Sequence, residues 1–201
     1  MSVFDRYLDD TSQKVLTVIA NLGGITKKQV QVILGDEDKG QRVLSNLILQ
    51  NLIRSSETVP DLYYPITGKP VSSEMVTCIW FAIELSRGAD KTVDLNLLSN
   101  AFRNNPVKIC LSTKTKYCNI VFLPEEEVSS KLPVIIDRYK SYFVVNNSKY
   151  KPEADGAEYY LLSDSKSAIR QILEYNMPFR HNIILAESAG MDEPEFRLLE
   201  Q

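Results

Sequence analysis

The first third of the chain alternates between apolar and polar positions with the period of an α-helix. Between Thr11 and Leu49, apolar residues recur three and four positions apart in three separate segments. Gly23 and Gly24 end the first segment, whereas Thr26 can cap the second and Gly35 can end it. Threonine favours helix starts and glycine favours helix ends. We therefore expect three short helices before residue 50.

The third of these helices leads into a hairpin. Asp36–Asp38 supply carboxylates to its first turn, where the helix dipole favours them. Alternation over Asn51–Arg54 and again over Leu62–Ile66 predicts two strands joined by a turn at Pro60. The inward face of the helix is predicted to consist of Val43, Leu44, Leu47, Ile48 and Leu49. Three helices followed by a hairpin indicate a winged helix-turn-helix domain over residues 1–70.

A different pattern follows the candidate linker Thr67–Pro70. Ser73–Ser86 is apolar on nearly every face, which is typical of a buried helix. Beyond it, short strands and helices predict a small sheet. The predicted strands are Val93–Leu97, Val107–Leu111, Tyr117–Leu123, Tyr142–Val145, Glu158–Leu162 and Asn182–Ala186, and the further helices are Pro124–Tyr139 and Ser163–Leu173.

These elements predict an α/β domain over residues 71–186 that begins with the buried helix. Residues 187–201 hold five acidic side chains and one arginine, and predict a solvated tail. The expected fold class is therefore α+β, with an N-terminal winged helix-turn-helix and a small α/β sheet domain.

Composition excludes several classes of protein. The chain has 201 residues, 44% of them hydrophobic, which is ordinary for a globular protein. The longest uncharged apolar run, Met75–Ile83, is far shorter than the roughly 20 residues of a membrane span. The acidic start of the chain lacks the layout of a secretory signal. We expect a cytoplasmic protein that does not bind membranes.

Charge limits where nucleic acid could bind. The whole chain carries a net charge of −3, and residues 1–70 hold eight basic and eight acidic side chains. The window 25–54 is more favourable, with five basic side chains against three acidic ones. Any DNA contact must therefore come from a local patch.

The residues that suit such a contact lie on the third helix and its neighbours. Arginine can read guanine, and glutamine or asparagine can read adenine, in the major groove. The predicted DNA-binding residues are Lys39, Gln41, Arg42, Ser45 and Asn46 on the outer face of the third helix, Lys27 and Lys28 at the start of the second, and Arg54 on the first hairpin strand.

Catalytic and metal sites find little support in the sequence. His181 is the single histidine, and Cys78, Cys110 and Cys118 lack the spacing of a zinc site, so we expect free thiols and no bound metal. Asp94 and Glu158 are isolated carboxylates on predicted strands, whereas a two-metal nuclease needs several. No phosphate-binding or dinucleotide-binding loop occurs. We expect no cofactor and no catalysis.

The order of these domains resembles the plasmid replication-relaxation family and related proteins of conjugative elements of Gram-positive bacteria. The resemblance rests on Gly24–Val30, on Leu47–Arg54 and on Leu62–Thr67. Over residues 71–186 it is one of layout alone. It implies DNA binding in the replication or transfer control of a mobile element. It also implies a second domain that looks like a nuclease. In this sequence the predicted strands of that domain carry no paired carboxylates, which a metal-dependent nuclease would need.

Three functions follow as hypotheses. The first is a DNA-binding regulator of a mobile element, which binds double-stranded DNA without catalysis and could form a homodimer. The second is a protein-interaction adaptor that uses a near-neutral winged helix, with a partner bound through the α/β domain. The third is a degenerate nuclease-like enzyme.

Overall fold

A computed structural model of the chain describes residues 8–88, 92–98, 106–114, 116–145, 157–187 and 193–199, with the backbone alone over residues 140–145. The fold is mixed α+β, as the sequence predicts. Two compact units divide the chain. One comprises Met1–Ser72 and Ile83–Leu95, and the other comprises Ser73–Ala82 and Asn96–Gln201.

The first unit combines three helices with a small antiparallel sheet. Strand β3 lies in the middle of the sheet and pairs with β1 on one side and β2 on the other. The elements are α1 (Asp10–Leu22), β1 (Ile25–Thr26), α2 (Lys27–Leu34), α3 (Glu37–Leu49), β2 (Ile53–Ser55) and β3 (Leu62–Pro65). The predicted three helices and hairpin are therefore present, and β1 is an addition.

The turn between α2 and α3 depends on local sequence signals. At the start of α2, the Thr26 hydroxyl accepts a hydrogen bond from the Gln29 amide at 3.2 Å, and the Gln29 side chain returns a bond to the Thr26 amide at 3.0 Å. Gly35 ends α2 with a left-handed φ of 66°, a conformation that glycine adopts without steric cost. Asp36 then caps α3 by accepting from the Lys39 amide at 2.8 Å.

Glycine also permits close packing of α2 against α3. Gly40 is buried within α3, and a Cβ atom built there would lie 2.9 Å from Cγ and 3.2 Å from Cα of Gln31. The backbone of α3 can therefore approach α2 more closely than a residue with a side chain would allow. This contact fixes the position of α3.

The buried face of α3 is narrower than the sequence predicts. Val43, Leu44 and Leu47 are buried, but Ile48 is 39% exposed and Leu49 is 81% exposed, which corrects their predicted inward position. The reason is geometric. A helix turns about 100° per residue, so two positions beyond Leu47 the side chain has rotated to the opposite face.

The second unit contains a five-stranded sheet of order β4-β5-β6-β7-β8. Two parallel crossovers connect β5 to β6 and β6 to β7, and the outer pairs are antiparallel. Helix α4 (Ser73–Ser86) begins in this unit, and its residues 83–86 belong to the first unit. The other elements are β4 (Val107–Ser112), β5 (Tyr117–Phe122), a 3₁₀ turn (Glu125–Glu127), α5 (Val128–Val145), β6 (Ala157–Ser163), α6 (Lys166–Leu173), β7 (His181–Glu187) and β8 (Glu195–Leu199).

Apolar side chains cover both faces of this sheet. On one face, α5 and α6 pack a core around Leu132, Ile169 and Leu161. On the other, the Phe81 ring of α4 lies 5.2 Å from the Tyr160 ring and 4.9 Å from the Phe196 ring, measured between centroids. Residues 76–83 of α4 are all buried, as its apolar surface predicts. No helix of the described residues is long and apolar enough to cross a membrane.

Three sequence predictions in this region are wrong. Tyr142–Val145 is not a strand but the last turn of α5, because a four-residue apolar run looks alike in a strand and in a buried helix. Val93–Leu97 forms only single bridges, from Val93 to Arg87 and from Leu97 to Leu111, instead of a strand.

The third correction concerns the predicted acidic tail over residues 187–201. Within it, Glu195–Leu199 forms β8 and pairs antiparallel with β7. Glu187 and Glu195 are paired across the two strands, where their like charges would repel each other. The guanidinium of Arg197 offsets this repulsion, since it lies 2.8 Å from Glu187 and 3.6 Å from Glu195. Opposite charges on neighbouring strands stabilise such a pair.

Candidate nucleic-acid interface

The outer face of α3 carries most of the predicted DNA-binding residues. At about 100° per residue, Arg42, Ser45 and Leu49 follow one stripe opposite the buried Leu44 and Leu47. Gln41 lies on one flank of this stripe, and Lys39 and Asn46 lie on the other. Five of the eight predicted residues therefore share one half of one helix surface.

The charged members of this face are available to a ligand. Lys39 and Arg42 are exposed, and no ion pair or hydrogen bond to another described residue occupies either side chain. Gln41 is also exposed and donates from Nε2 to the Ser45 hydroxyl at 3.3 Å, a weak bond that a better acceptor can replace. The guanidinium of Arg42 thus keeps all of its donors for a base or a phosphate.

Two of the predicted residues are less accessible. Ser45 and Asn46 are half-buried, and the side-chain oxygen of Asn46 accepts a hydrogen bond from Gln50 Nε2 at 2.9 Å. The Asn46 amide nitrogen can still donate, but the bidentate adenine contact requires the oxygen as well. Reading of adenine therefore fits Gln41 better than Asn46.

Arg54 is held at the base of the hairpin. Its guanidinium carbon lies 4.8 Å from the centre of the Tyr64 ring, and Nη2 donates to the carbonyl of Gly68 at 3.3 Å. These contacts orient the exposed side chain and leave most of its five donors unused. Such a preoriented cation suits a backbone phosphate.

The two lysines at the start of α2 differ in exposure. Lys27 is half-buried, and its amide donates to the carbonyl of Asp61 at 2.8 Å, which joins the end of the hairpin loop to α2. Lys28 is exposed. Of the two residues, Lys28 is therefore the more accessible to a ligand.

The hairpin loop itself offers no positive charge. Residues 56–61 include Glu57 and Asp61 but no lysine or arginine. The Ser56 hydroxyl accepts from the amides of Thr58 at 3.3 Å and Val59 at 3.0 Å, so the loop's own backbone occupies its polar groups. Contact with the negatively charged minor groove is therefore disfavoured at the loop.

A polar cluster that the sequence analysis did not identify lies in the second unit. Glu158 at the start of β6 accepts hydrogen bonds from Lys116, from the Tyr160 hydroxyl at 3.1 Å and from Asn182 on β7. Lys116 also donates to the Tyr160 hydroxyl at 2.6 Å. The sequence signal was weak because 42 residues separate Lys116 from Glu158.

Electrostatics keep this cluster in its ionic form. Burial alone would raise the pKa of Glu158, but hydrogen bonds from Lys116 and Asn182 outweigh burial and lower that pKa. Burial opposes the charge of Lys116 as well, yet the bonds to Glu158 and Tyr160 raise its pKa. Burial raises the pKa of the Tyr160 hydroxyl. The carboxylate is thus an ion-pair acceptor with both oxygens occupied.

Candidate metal ligands and thiols are dispersed. Asp94 lies outside the five-stranded sheet, and within the described ranges no three His, Cys, Asp or Glu side chains gather as metal ligands. Cys78, Cys110 and Cys118 are free thiols, as predicted. Register pairs Cys110 with Asn119 and Cys118 with Leu111, so these two thiols lie on opposite faces of the hairpin.

Comparison with known proteins gives no family. No family model matches the chain, and neither the curated proteins nor the solved structures include a significant match. The functional argument therefore depends on the site itself.

Proposed function

We propose that the first unit is a winged helix-turn-helix that binds double-stranded DNA, with α3 in the major groove. The observation that carries the proposal is the outer face of α3, where Arg42 and Lys39 are exposed and form no hydrogen bond or ion pair through their side chains with another described residue, while Gly40 packs the opposite face against α2. A helix fixed on one side and rich in donors on the other suits groove reading.

Each contact has a role that follows from its chemistry. Arg42 reads guanine or a phosphate, Gln41 reads adenine, and Lys39 contacts the backbone beside the groove. Lys28 and Arg54 bind phosphates and set the register of the helix on the duplex. Ser45 and Asn46 are half-buried and contribute less than Gln41 and Arg42.

The biological role belongs to the same proposal. The protein regulates replication, transfer or transcription of a mobile element, as the resemblance implies, and works in the cytoplasm, where DNA and reduced thiols coexist. Glu158 stabilises the sheet without taking part in catalysis, since its oxygens are occupied by Lys116, Tyr160 and Asn182.

A binding titration with Arg42→Ala tests the proposal. The probe is a duplex selected by the wild-type protein from a random-sequence pool. If Arg42 reads a base, the variant should lose about 1–3 kcal/mol of binding free energy and relax the preference at one position. If Arg42 contacts only phosphate, affinity should fall evenly on all sequences. Arg170→Ala is the matched control, since it removes an exposed helical arginine from the second unit.

Salt dependence supplies a second readout. Four exposed cations, Lys28, Lys39, Arg42 and Arg54, can neutralise up to four phosphates, which corresponds to a slope of log K against log salt no steeper than about −3.6. Arg42→Ala should make that slope shallower by up to one unit. Unchanged affinity in a folded Arg42→Ala, Lys39→Ala double variant would exclude the DNA function.

A protein-interaction adaptor is the second candidate. Ile48 is 39% exposed, Leu49 is 81% exposed and Ile66 is 44% exposed. Ile48 and Leu49 are the last two residues of α3, and Ile66 follows β3. Exposed apolar side chains are typical of protein interfaces. Failure to select any duplex from the random pool, together with self-association in analytical ultracentrifugation, would favour this candidate.

A further inference from the structure

Leu49 has no role in the core of the first unit. Its side chain is 81% exposed, the highest value among the exposed large apolar side chains of the described residues. It is the last residue of α3, and it lies on the same stripe as Arg42 and Ser45, seven and four positions earlier. Folding therefore does not account for a leucine at this position.

The charges along α3 indicate which part of the helix approaches DNA. Asp36, Glu37 and Asp38 surround its first turn, where they would repel backbone phosphates. The stripe from Arg42 to Leu49 contains no carboxylate. A groove-bound α3 is consequently expected to dock through the stripe from Arg42 to Leu49, which brings Leu49 to the bases.

Thymine is the base that matches an apolar side chain in the major groove. Its C5-methyl group is the single apolar feature presented there, and aliphatic side chains contact it. We infer that Leu49 is a specificity-determining residue that contacts a thymine methyl group. This inference rests on the DNA function proposed for α3.

Helix geometry places that thymine relative to the base read by Arg42. Seven residues span about 10 Å along a helix axis, and successive base pairs lie about 3.4 Å apart. The thymine therefore lies within about three base-pair steps of the Arg42 contact. Ser45 lies between the two residues on the stripe and faces the intervening step.

The test combines a change in the protein with a change in the DNA. The probe is the duplex selected from a random pool by the wild-type protein, and each thymine is replaced in turn by deoxyuridine, which removes only the methyl group. Wild-type affinity should fall about threefold to fivefold at one position, the factor expected for one buried methyl-sized group. In Leu49→Ala the same replacement should have no effect.

Two controls isolate the contact. Leu198→Ala removes another exposed leucine, 58% exposed on β8, and should keep the deoxyuridine effect of the wild type. Circular dichroism of Leu49→Ala should match the wild type, because an exposed side chain contributes little to folding.

Each outcome decides one question. Deoxyuridine sensitivity that disappears in Leu49→Ala supports the inference. The inference is wrong if deoxyuridine still lowers the affinity of Leu49→Ala. It is also wrong if no deoxyuridine replacement changes the affinity of the wild type. Either result leaves the DNA function intact. Absence of duplex binding by the wild type overturns the proposed function itself, and concentration-dependent self-association lost in Leu49→Ala would then assign the leucine to a protein interface.

Discussion

Gly40 offers a quantitative test of how α3 is positioned. The substitution Gly40→Ala would place a Cβ atom 2.9 Å from Gln31 Cγ and 3.2 Å from Gln31 Cα. The first of these atoms belongs to the stem of the side chain and the second to the backbone of α2, so neither can rotate freely away. The two helices would have to separate by a few tenths of an ångström.

Two opposing terms determine the size of the effect. Replacing glycine by alanine inside a helix stabilises it by about 1 kcal/mol. Overpacking a tight contact costs about 1–3 kcal/mol. With the middle of that range, Gly40→Ala should lower the free energy of unfolding of the first unit by about 1 kcal/mol, and Gly40→Val should lower it further because it adds two more methyl groups.

The assay must report on the first unit alone. Trp80 belongs to the second unit, so its fluorescence cannot be used. Native-state hydrogen exchange of peptides that cover α2 and α3 gives the local free energy of opening. Ala20→Gly, at an exposed position of α1, measures the propensity term independently and should cost about 1 kcal/mol.

A double-mutant cycle identifies the contact. Gln31→Ala removes the Cγ atom that the new Cβ would meet, so Gly40→Ala should be less destabilising in that background by at least about 0.5 kcal/mol. If Gly40→Ala stabilises the unit by the full propensity term, or if the cycle shows no coupling, α2 and α3 are not packed as described.

Two further predictions concern the second unit. Because the pKa of Glu158 is lowered in the folded state, its ion pair with Lys116 stabilises the fold above the ordinary carboxyl pKa of 4.5, and this stability is lost as the pH falls through the lowered pKa. Urea unfolding at a series of pH values should therefore show that the free energy of unfolding falls less steeply towards acid pH in Glu158→Gln than in the wild type. The same steepness in both proteins would contradict the pairing with Lys116. A thiol reagent should label Cys110, which is half-exposed, before Cys78 and Cys118, because these two thiols are buried. Burial raises the pKa of all three thiols, so each should react more slowly than a free cysteine. Intact-mass analysis should show no bridge between Cys110 and Cys118.

Local signals predicted the first unit well. Thr26 caps α2, Gly35 ends it, and the carboxylates after it begin α3, because each of these effects involves residues within one turn of each other. The position of Leu49 was missed for a related reason. Leu49 closely follows the buried Leu47 in the sequence, but α3 continues through Leu49, and at about 100° per residue this places Leu49 on the face opposite Leu47.

Features that depend on distant pairing were not predicted. Glu158 was treated as an isolated carboxylate, since nothing near it in the sequence indicates Lys116 or Asn182 as partners. The sequence predicts a tail over β8 because the surrounding segment 187–201 holds five acidic side chains and one arginine. Its alternation is short, and only the neighbouring β7 and the ion pair of Arg197 with Glu187 make it a strand.

The neutral charge of residues 1–70 and the proposed DNA function are compatible because opposite charges occupy different places. Carboxylates gather at the start of α1, at the start of α3 and in the hairpin loop, whereas Arg42 lies beyond the first turn on the outer face of α3 and Arg54 at the base of the hairpin. Lys39 lies next to the carboxylates at the start of α3. When Arg42 reads a base, Lys28, Lys39 and Arg54 are left for phosphates, so non-specific affinity is expected to be small. Tight binding would then have to come from the groove contacts of Gln41, Arg42 and Leu49, and a site of this kind discriminates between sequences more strongly than its net charge suggests.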